Sequence, residues 1–282
     1  MKNLKSYVFL LALCLLCGQG YATVRMFVAP EGKRLFICEY TNASPDKVEI
    51  PSYFMINDNN IETEVFSHNW LTGPVGPIGE FVTTPSPIFL DAYQKHIFTL
   101  TRENITYFYF LKNHYTRCWW ILDEEKSNSV YLFFPKRDNN VETPNLDLTF
   151  LTKGTNVVIA LGYLFDLREE KWESGTVLFL CYNGSDKAVT IPHPFGEGST
   201  LEFVPRCTDP QKETVTIKGT KTDGYESKTI EPGGSGEWKC SWEEIKKRMS
   251  PQAYDRLRKR GFMELHWRIH ENNADPFPLW IE

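Results

Sequence analysis

Long apolar runs are missing from the sequence after Cys17, so nothing beyond that point offers the ~20 consecutive apolar residues that a membrane-spanning helix needs. An excess of positive charge is missing too. The chain has 31 lysines and arginines against 36 aspartates and glutamates, a formal net charge of −5. Because nucleic acids and anionic membranes select proteins with a positive field, this balance argues against a nucleic acid as the partner.

Signatures of catalysis are also lacking. The sequence contains no G-x-S-x-G nucleophile turn, no H-E-x-x-H zinc motif and no phosphate-binding G-x-x-x-x-G-K. Ser235 lies between glycines in a turn-forming stretch, with no histidine fixed beside it, which argues against a nucleophilic role. We therefore expect that the protein is not an enzyme and that it uses no cofactor.

Histidines with metal-ligand spacing occur once, near the end of the chain. His266 and His270 are separated by four positions within a stretch that alternates polar and apolar residues. The alternation predicts a strand, on which residues four positions apart stand about 13 Å from each other at ~3.3 Å per residue. One ion cannot bridge that distance, so we predict no metal site.

The first residues have the layout of a secretory signal peptide. Lys2 and Lys5 precede an apolar run over residues 7–17, and small residues end at Ala22. This pattern predicts a signal peptide over residues 1–22. A membrane anchor is the alternative, but the apolar run is too short for one. We expect an exported protein, periplasmic or extracellular, with no membrane span after cleavage.

Two distant segments of the sequence resemble each other. The stretch from Leu35 to Pro51 recurs as the stretch from Val177 to Pro192, with matches at a constant separation of 141 positions (183 − 42). The matched pairs are Asn42 and Asn183, Ser44 and Ser185, Val48 and Val189, Ile50 and Ile191, and Pro51 and Pro192. A second, shorter match aligns Cys118 with Cys240 and Trp120 with Trp242. The repeat predicts one small domain used twice.

Five cysteines follow the predicted cleavage site, in a compartment where disulfides form. The repeat makes one bridge per domain the natural hypothesis, with Cys207 left over. Connectivity stays open on the sequence alone, and all five cysteines can also stay reduced. The candidates for the two bridges are Cys38, Cys118, Cys181 and Cys240.

Short alternating runs rich in β-branched and aromatic residues dominate the rest, separated by turn residues. They predict an all-β fold with about seven strands in each of two tandem immunoglobulin-like β-sandwiches. We place the first domain at residues 23–137, a polar linker at 138–145 and the second domain at 146–282.

One helical insertion is predicted in the second domain, over residues 241–260. Serine is a preferred N-cap residue, so Ser241 and Ser250 are each predicted to begin a helix. Gly261 is predicted to end the second helix. The insertion is basic within an acidic protein, although most such charge runs are only a solvated face. The residues proposed to contact an acidic partner are Lys246, Lys247, Arg256 and Lys259.

The second unit resembles the immunoglobulin-like β-sandwich domains of exported bacterial proteins. The resemblance rests on the turn and strand from Cys181 to Pro192, the Pro232-Gly233 turn, and the strand that begins at Gly261. It is similar in shape to bacterial proteinase-inhibitor domains of the BsuPI type. The resemblance implies a protein that binds, scaffolds or inhibits.

A long loop over residues 69–87, rich in proline and glycine, is the strongest candidate for a ligand-binding segment. Trp70 and Phe81 within it are candidate anchors for a partner, the alternative being that they form a minor core under the loop. Asn42 and Asn183 fit the N-glycosylation sequon but occupy the same turn in both repeats, so we interpret them as turn residues.

These patterns favour an exported, non-catalytic binding or structural protein that presents β-sandwich loops to a protein or a surface glycan. Two alternatives stay open. One is a proteinase inhibitor or periplasmic accessory protein that inserts a projecting loop into a protease cleft. The other is a fragment of a carbohydrate-active enzyme with chemistry at the domain interface.

Overall fold

The computed structural model describes residues 23–50, 53–57, 63–67, 87–101, 115–122, 125–133, 156–164, 175–221 and 224–282. The described chain is mostly β-strand, which confirms the predicted all-β class. The strands are β1 (Thr23–Val28), β2 (Arg34–Thr41), β3 (Val48–Ile50), β4 (Tyr53–Asn57), β5 (Thr63–Ser67), β6 (Ile88–Leu90), β7 (Lys95–Thr101), β8 (Tyr115–Leu122), β9 (Glu125–Phe133), β10 (Val157–Leu164), β11 (Thr176–Asn183), β12 (Val189–Ile191), β13 (Ser199–Pro205), β14 (Val215–Lys218), β15 (Lys228–Ile230), β16 (Ser235–Ser241), β17 (Phe262–Ile269), β18 (Asn272–Asn273) and β19 (Phe277–Trp280). The helices are α1 (Pro210–Glu213), α2 (Trp242–Lys246) and α3 (Pro251–Arg260).

Two large sheets carry most of these strands. The first has the order β14-β13-β17-β19-β1-β2-β7, with the short β18 paired to β17. The second has the order β16-β11-β10-β9-β8-β4-β5, and two small pairs, β12-β15 and β3-β6, complete the list. Each large sheet therefore contains strands from the N-terminal half of the chain (β1 to β9) and from the C-terminal half (β10 to β19).

Parallel strand pairs join the halves within each sheet. β1 pairs with β19, with Val28 opposite Leu279. β9 pairs with β10 in the same parallel manner, with Leu132 opposite Tyr163. The sequence predicts two sandwiches in tandem, and the structure shows that their sheets continue from one half into the other. The predicted linker, residues 138–145, lies outside the described residues.

The core lies between the two sheets, which pack face to face. Trp267 on β17 of the first sheet contacts Phe179 on β11 of the second, with 5.1 Å between ring centroids. Trp267 is fully buried and donates a hydrogen bond from Nε1 to Ser199 Oγ at 2.9 Å. Along β17 the apolar residues alternate inward as the sequence predicts, and His266 lies on the other face.

The strand register confirms the repeat and extends it. β11 is the counterpart of β2, since both pair with the outer strand of their half: Cys38 lies opposite Phe98, and Phe179 lies opposite Trp238. The separation of 141 holds from β2 and β11 through β3 and β12, and it becomes 140 (230 − 90) from β6 and β15 onward. β16 is therefore the counterpart of β7.

The second match in the sequence, of Cys118 with Cys240 and Trp120 with Trp242, is not a structural equivalence. Cys118 lies on β8, which pairs with β9 and β4. Cys240 lies on β16, whose counterpart is β7. The two Cys-x-Trp segments therefore occupy different places in the repeated plan.

The proposed bridge between Cys181 and Cys240 is also wrong. The two residues lie on neighbouring strands, but Cys181 is opposite Gly236 and Cys240 is opposite Val177. A register difference of four positions separates them by about 13 Å, and a disulfide needs Cα atoms within about 7 Å. Cys38 and Cys207 are free thiols as well, and the side chain of Cys118 is outside the described part.

Burial keeps the thiols of Cys181 and Cys240 protonated. It raises the pKa of Cys181 to about 12, against a smaller lowering by a hydrogen bond with the Gly236 backbone and by the charge of Lys228. It likewise raises the pKa of Cys240 to about 12, with a further contribution from Glu244. Buried, protonated thiols pack as small apolar residues, so Cys181 and Cys240 contribute to the core.

The helical insertion forms as its caps predict. Ser241 Oγ accepts a hydrogen bond from the Glu244 N–H at 3.1 Å, and Ser250 Oγ accepts one from the Ala253 N–H at 3.1 Å. α3 ends at Gly261, which has a φ of 72°. The buried side chains of the two helices join the core at one end of the sandwich. They are Trp242, Ile245, Ala253 and Leu257.

A buried ion pair links the two halves across the β1-β19 seam. Glu39 on β2 is 2% exposed, and its carboxylate lies 3.1 Å from Arg206 Nη1 at the end of β13. The Arg206 guanidinium lies near the rings of Phe27 (5.3 Å) and Phe262 (5.8 Å). Lys95 Nζ contacts the other oxygen of Glu39 at 3.2 Å.

No helix among the described residues is long and apolar enough to cross a membrane.

Candidate interaction surface

The two residues predicted to bind a partner, Trp70 and Phe81, lie outside the described residues. The predicted basic contacts are described, and the structure separates them. Lys246 faces inward to acids: its ammonium is 3.0 Å from Glu31 and 3.7 Å from Glu243. Its charge is therefore met within the chain.

The other three predicted basic contacts, Lys247, Arg256 and Lys259, are exposed. Neighbouring cations of the helices are paired within the chain, Arg258 with Asp255 at 3.6 Å and Arg260 with Glu213. The insertion therefore presents isolated exposed cations beside paired ones, and a contact with an acidic partner stays a prediction.

Large exposed apolar side chains gather in a different place. Within the described chain they are Phe89 (56% exposed), Tyr93 (67%) and Ile97 (43%). Phe89 is on β6, Tyr93 is in the turn that follows, and Ile97 is on β7. We call these three residues the hairpin surface.

The turn that carries Tyr93 is rigid because a buried asparagine holds it. The Asn42 N–H donates to the Gln94 carbonyl at 2.9 Å, and the Asn42 side-chain amide donates to the Asp91 carbonyl at 2.9 Å. The Gln94 N–H donates back to the Asp91 carbonyl at 3.1 Å. Tyr93 has a φ of 62°, the left-handed region that tyrosine rarely occupies. The fold therefore holds an exposed aromatic ring on a strained backbone.

The C-terminal half contains the same turn with a different residue. The counterpart of Tyr93 is Gly233, with a φ of 74°. The counterpart of Gln94 is Gly234, whose N–H donates to the Glu231 carbonyl at 2.9 Å. The turn thus forms with glycine, which adopts this conformation without strain.

All three residues of the hairpin surface have polar or glycine counterparts. Phe89 corresponds to Thr229, Tyr93 to Gly233 and Ile97 to Glu237. The core positions beside them are apolar in both halves: Leu90 and Ile230 are buried, as are Phe98 and Trp238. Both halves therefore have apolar residues at these core positions. At the exposed positions, only the N-terminal half has large apolar side chains.

β7 also presents an open edge beside the hairpin surface. It is the last strand of its sheet, and among the described residues it pairs with β2 alone. Every second residue of an antiparallel strand turns its N–H and C=O away from the neighbour. Since Gln94 is bonded to Asn42, this alternation points the N–H and C=O of Ile97 toward the open edge.

The equivalent edge in the C-terminal half is protected. The carbonyl of Glu237, the counterpart of Ile97, accepts a hydrogen bond from Lys228 Nζ. Glu237 itself pairs with Lys239 at 3.2 Å. The counterpart of Lys228 on β6 is Ile88, which cannot donate such a bond. Lysine and ion pairs prevent edge-to-edge pairing in β-proteins. Among the described residues, no lysine donates to the carbonyl of Ile97 as Lys228 does to that of Glu237.

Two cations beside the hairpin surface, Lys47 and Lys95, have acidic partners. Lys47 Nζ lies 3.8 Å from Asp91 and 5.5 Å from the centre of the Phe89 ring. Lys95 is bound to Glu39. The surface therefore offers apolar contact and backbone hydrogen bonds, together with the exposed carboxylate of Glu49 opposite Phe89.

The variant Tyr93→Asn is expected to raise the free energy of unfolding by about 1 kcal/mol, because asparagine tolerates the left-handed region and tyrosine does not. The reciprocal variant Gly233→Tyr is expected to lower it by about 1–2 kcal/mol. A Cβ at Gly233 would meet nothing within 4 Å, so this cost is conformational alone. Urea unfolding of the two variants measures both changes. A loss of stability in Tyr93→Asn would mean that the ring supports the fold.

Comparisons with known proteins add little to this geometry. The solved structure of red sea bream transglutaminase aligns over 93% of this chain and 31% of its own, with 12% sequence identity and a TM-score of 0.23. No family model matches the chain, and no curated protein does. The likeness extends to β-rich structure and no further.

One expectation from the sequence is corrected by this comparison. The absence of catalytic motifs predicts that the protein is not an enzyme, whereas the similar solved structure is that of an enzyme. We withdraw that expectation. Because a TM-score this low carries no argument about mechanism, the comparison assigns no activity to the chain.

Proposed function

We propose that the protein is an exported binding protein that holds an extended segment of a protein partner along β7. The observation that carries this proposal is the contrast between the two halves. At equivalent positions of one repeated turn and edge, the N-terminal half exposes Phe89, Tyr93 and Ile97, and the C-terminal half has Thr229, Gly233 and Glu237. The tandem immunoglobulin-like arrangement and its export belong to the same proposal.

The mode of binding follows from the open edge. An extended peptide that adds to a sheet edge gains main-chain hydrogen bonds, and side-chain contacts on either side select the sequence. The outward N–H and C=O of Ile97 supply those bonds. Tyr93 and Phe89 supply aromatic area beside the strand, and large aromatic residues dominate the energy of many protein interfaces.

A polypeptide suits this surface better than a glycan does. The rings of Phe89 and Tyr93 suit either occupant, but Ile97 is aliphatic and its outward backbone groups match another strand. The nearby cations Lys47 and Lys95 are already paired with acids and are not available to polar sugar groups. The preferred occupant is thus an extended segment rich in apolar residues.

The test compares the protein with the triple variant Phe89→Thr, Tyr93→Gly and Ile97→Gln. The first two changes copy the C-terminal half. Glutamine is used at the third position because Ile97 lies opposite Glu39, whereas Glu237 lies opposite Leu180. A displayed library of random 12-residue peptides is selected against each. We expect enrichment on the protein and its loss on the triple variant. The selected peptides should slow amide hydrogen exchange at Ile97 by at least ~10-fold, as a new β-bridge protects its N–H.

Lys239→Gln serves as the matched control, since it alters the protected edge strand β16 and should leave peptide selection unchanged. Peptide enrichment that is equal on the protein and the triple variant would overturn the proposal. So would a stable dimer in light scattering that the triple variant abolishes, since it would make a second copy the occupant. Binding of glycans on an array, lost in the variant, would also replace a protein by a glycan.

A further inference from the structure

A cluster of aromatic and cationic side chains in the C-terminal half plays no part in the hairpin surface. Its members come from four places that are distant in sequence. His193 and Phe195 follow β12, Tyr225 precedes β15, Trp238 is on β16, and Arg248 lies between α2 and α3. The helical insertion thus brings a cation to a group of rings on the sandwich.

The rings and the guanidinium are in direct contact. Arg248 lies 4.0 Å from the centre of the Phe195 ring and 4.7 Å from that of Tyr225, and it donates a hydrogen bond to the Tyr225 hydroxyl. His193 packs on Tyr225 with 4.7 Å between centroids and meets Trp238 edge-on at 6.3 Å. Stacking on aromatic faces holds Arg248 in a fixed position without a carboxylate.

A second cation, Lys228, adds to the charge of the cluster. Its ammonium lies 5.0 Å from the Trp238 ring. Among the described residues, neither Lys228 nor Arg248 has a carboxylate within ion-pair distance, whereas Arg206 and Arg268 each have one. Arg248 is the less exposed of the two, and Lys228 is exposed to solvent.

The other polar groups of the cluster are hydrogen-bond donors. The Phe195 N–H donates to His193 Nδ1 at 3.1 Å, so the neutral imidazole carries its proton on Nε2. Burial, with Arg248 and then Lys228, lowers the pKa of His193 to about 4, which keeps the ring neutral at physiological pH. Among the described residues, Trp238 Nε1 is one of four buried side-chain polar atoms without a hydrogen-bond partner, and it is the one that belongs to this cluster. Buried donors are nearly always satisfied, so this one calls for an acceptor.

We propose that this cluster binds an oxyanion group of a ligand, a carboxylate or a sulfate, between Arg248 and Lys228. A purely structural role accounts for the contacts of Arg248 with Tyr225 and Phe195. A structural role also accounts for Lys228, whose ammonium donates to the Glu237 carbonyl, but not for the unpaired N–H of Trp238. An oxyanion supplies the missing negative charge and the missing acceptors together. The site is independent of the hairpin surface, which lies in the other half.

The test uses sodium sulfate and sodium acetate as probes and follows the imidazole of His193 by NMR. A bound anion stabilises the protonated ring, so the pKa of His193 should rise from about 4 by at least ~1 unit relative to sodium chloride at the same ionic strength. The indole N–H resonance of Trp238 should shift in the same titration. The two probes distinguish a sulfate from a carboxylate as the preferred group.

The variant Lys228→Gln is expected to weaken anion binding by ~10-fold or more, since it removes a charge-assisted contact. Lys239→Gln removes one charge from an adjacent strand, where it is already paired, and should leave binding unchanged. Unfolding curves of both variants check that the fold is intact. If sulfate and acetate move His193 no more than chloride does, or if Lys228→Gln binds them equally well, the proposal is wrong.

Discussion

The variant Asn183→Ala is expected to lower the free energy of unfolding by about 3 kcal/mol. Asn183 is fully buried, and its amide donates to the carbonyls of Lys187 at 2.7 Å and Ile230 at 2.9 Å. Its side-chain oxygen accepts a hydrogen bond from the Ser185 N–H at 3.0 Å. Alanine leaves the buried Ile230 carbonyl without this donor, and that desolvation is the main cost. The Lys187 carbonyl retains a hydrogen bond from Ser185 Oγ at 3.0 Å.

Asn42→Ala tests the same argument in the other half. Asn42 is buried as well and donates to Asp46 at 2.8 Å and Asp91 at 2.9 Å, while Ser44 donates to it at 2.9 Å. The decrease in the free energy of unfolding of Asn42→Ala should match that of Asn183→Ala within about 1 kcal/mol. Ser185→Ala, which keeps the backbone bonds, is the control and should cost under about 1 kcal/mol. Losses below that level in both asparagine variants would show that the turns hold without their side chains.

The variant Arg206→Ala has a comparable expected cost of about 3 kcal/mol. It leaves the carboxylate of Glu39, 2% exposed, without its nearest cation. Lys95 retains a contact at 3.2 Å, but its side chain is 51% exposed and compensates only in part. Because Arg206 and Glu39 belong to different halves, urea unfolding should show one transition that shifts as a whole.

The double variant Glu39→Leu with Arg206→Met is the matched control. The C-terminal half has Leu180 at the counterpart of Glu39, fully buried in the same register. Replacing a buried ion pair by apolar residues of similar volume is often neutral. The double variant should therefore recover most of the stability that Arg206→Ala loses. A double variant that is no more stable than Arg206→Ala would contradict this account of the seam.

Local features of the fold were predictable from the sequence because they depend on near neighbours. The repeat, the alternation along β17 and the caps at Ser241 and Ser250 are all local patterns, and the structure confirms them. The interpretation of Asn42 and Asn183 as turn residues is confirmed too, since both are buried and bonded to the turn.

The pairing of strands that are distant along the chain could not be predicted from the sequence. Val28 meets Leu279 across almost the whole chain, and nothing in the composition of β1 or β19 encodes that neighbour. The disulfide hypothesis failed for a related reason. Spacing along the chain gives no register between strands, and a difference of four positions separates Cys181 from Cys240.

The hairpin surface could have been found from the repeat, but the alignment did not extend far enough. Matches are dense up to Pro51 and Pro192 and then cease, and the separation changes from 141 to 140 before β6 and β15. Without the strand register, Tyr93 does not align with Gly233. Once it does, the exposed tyrosine stands out against a glycine in the same conformation.

The most direct test of the central claim is the free energy of unfolding of the triple variant Phe89→Thr, Tyr93→Gly and Ile97→Gln. The claim is that these exposed side chains serve binding and not folding. The predicted result is a stability within about 1 kcal/mol of the original protein, since the C-terminal half folds the same turn with threonine, glycine and a polar residue at these positions. A loss of about 3 kcal/mol or more would show that the three side chains support the fold and would contradict the claim.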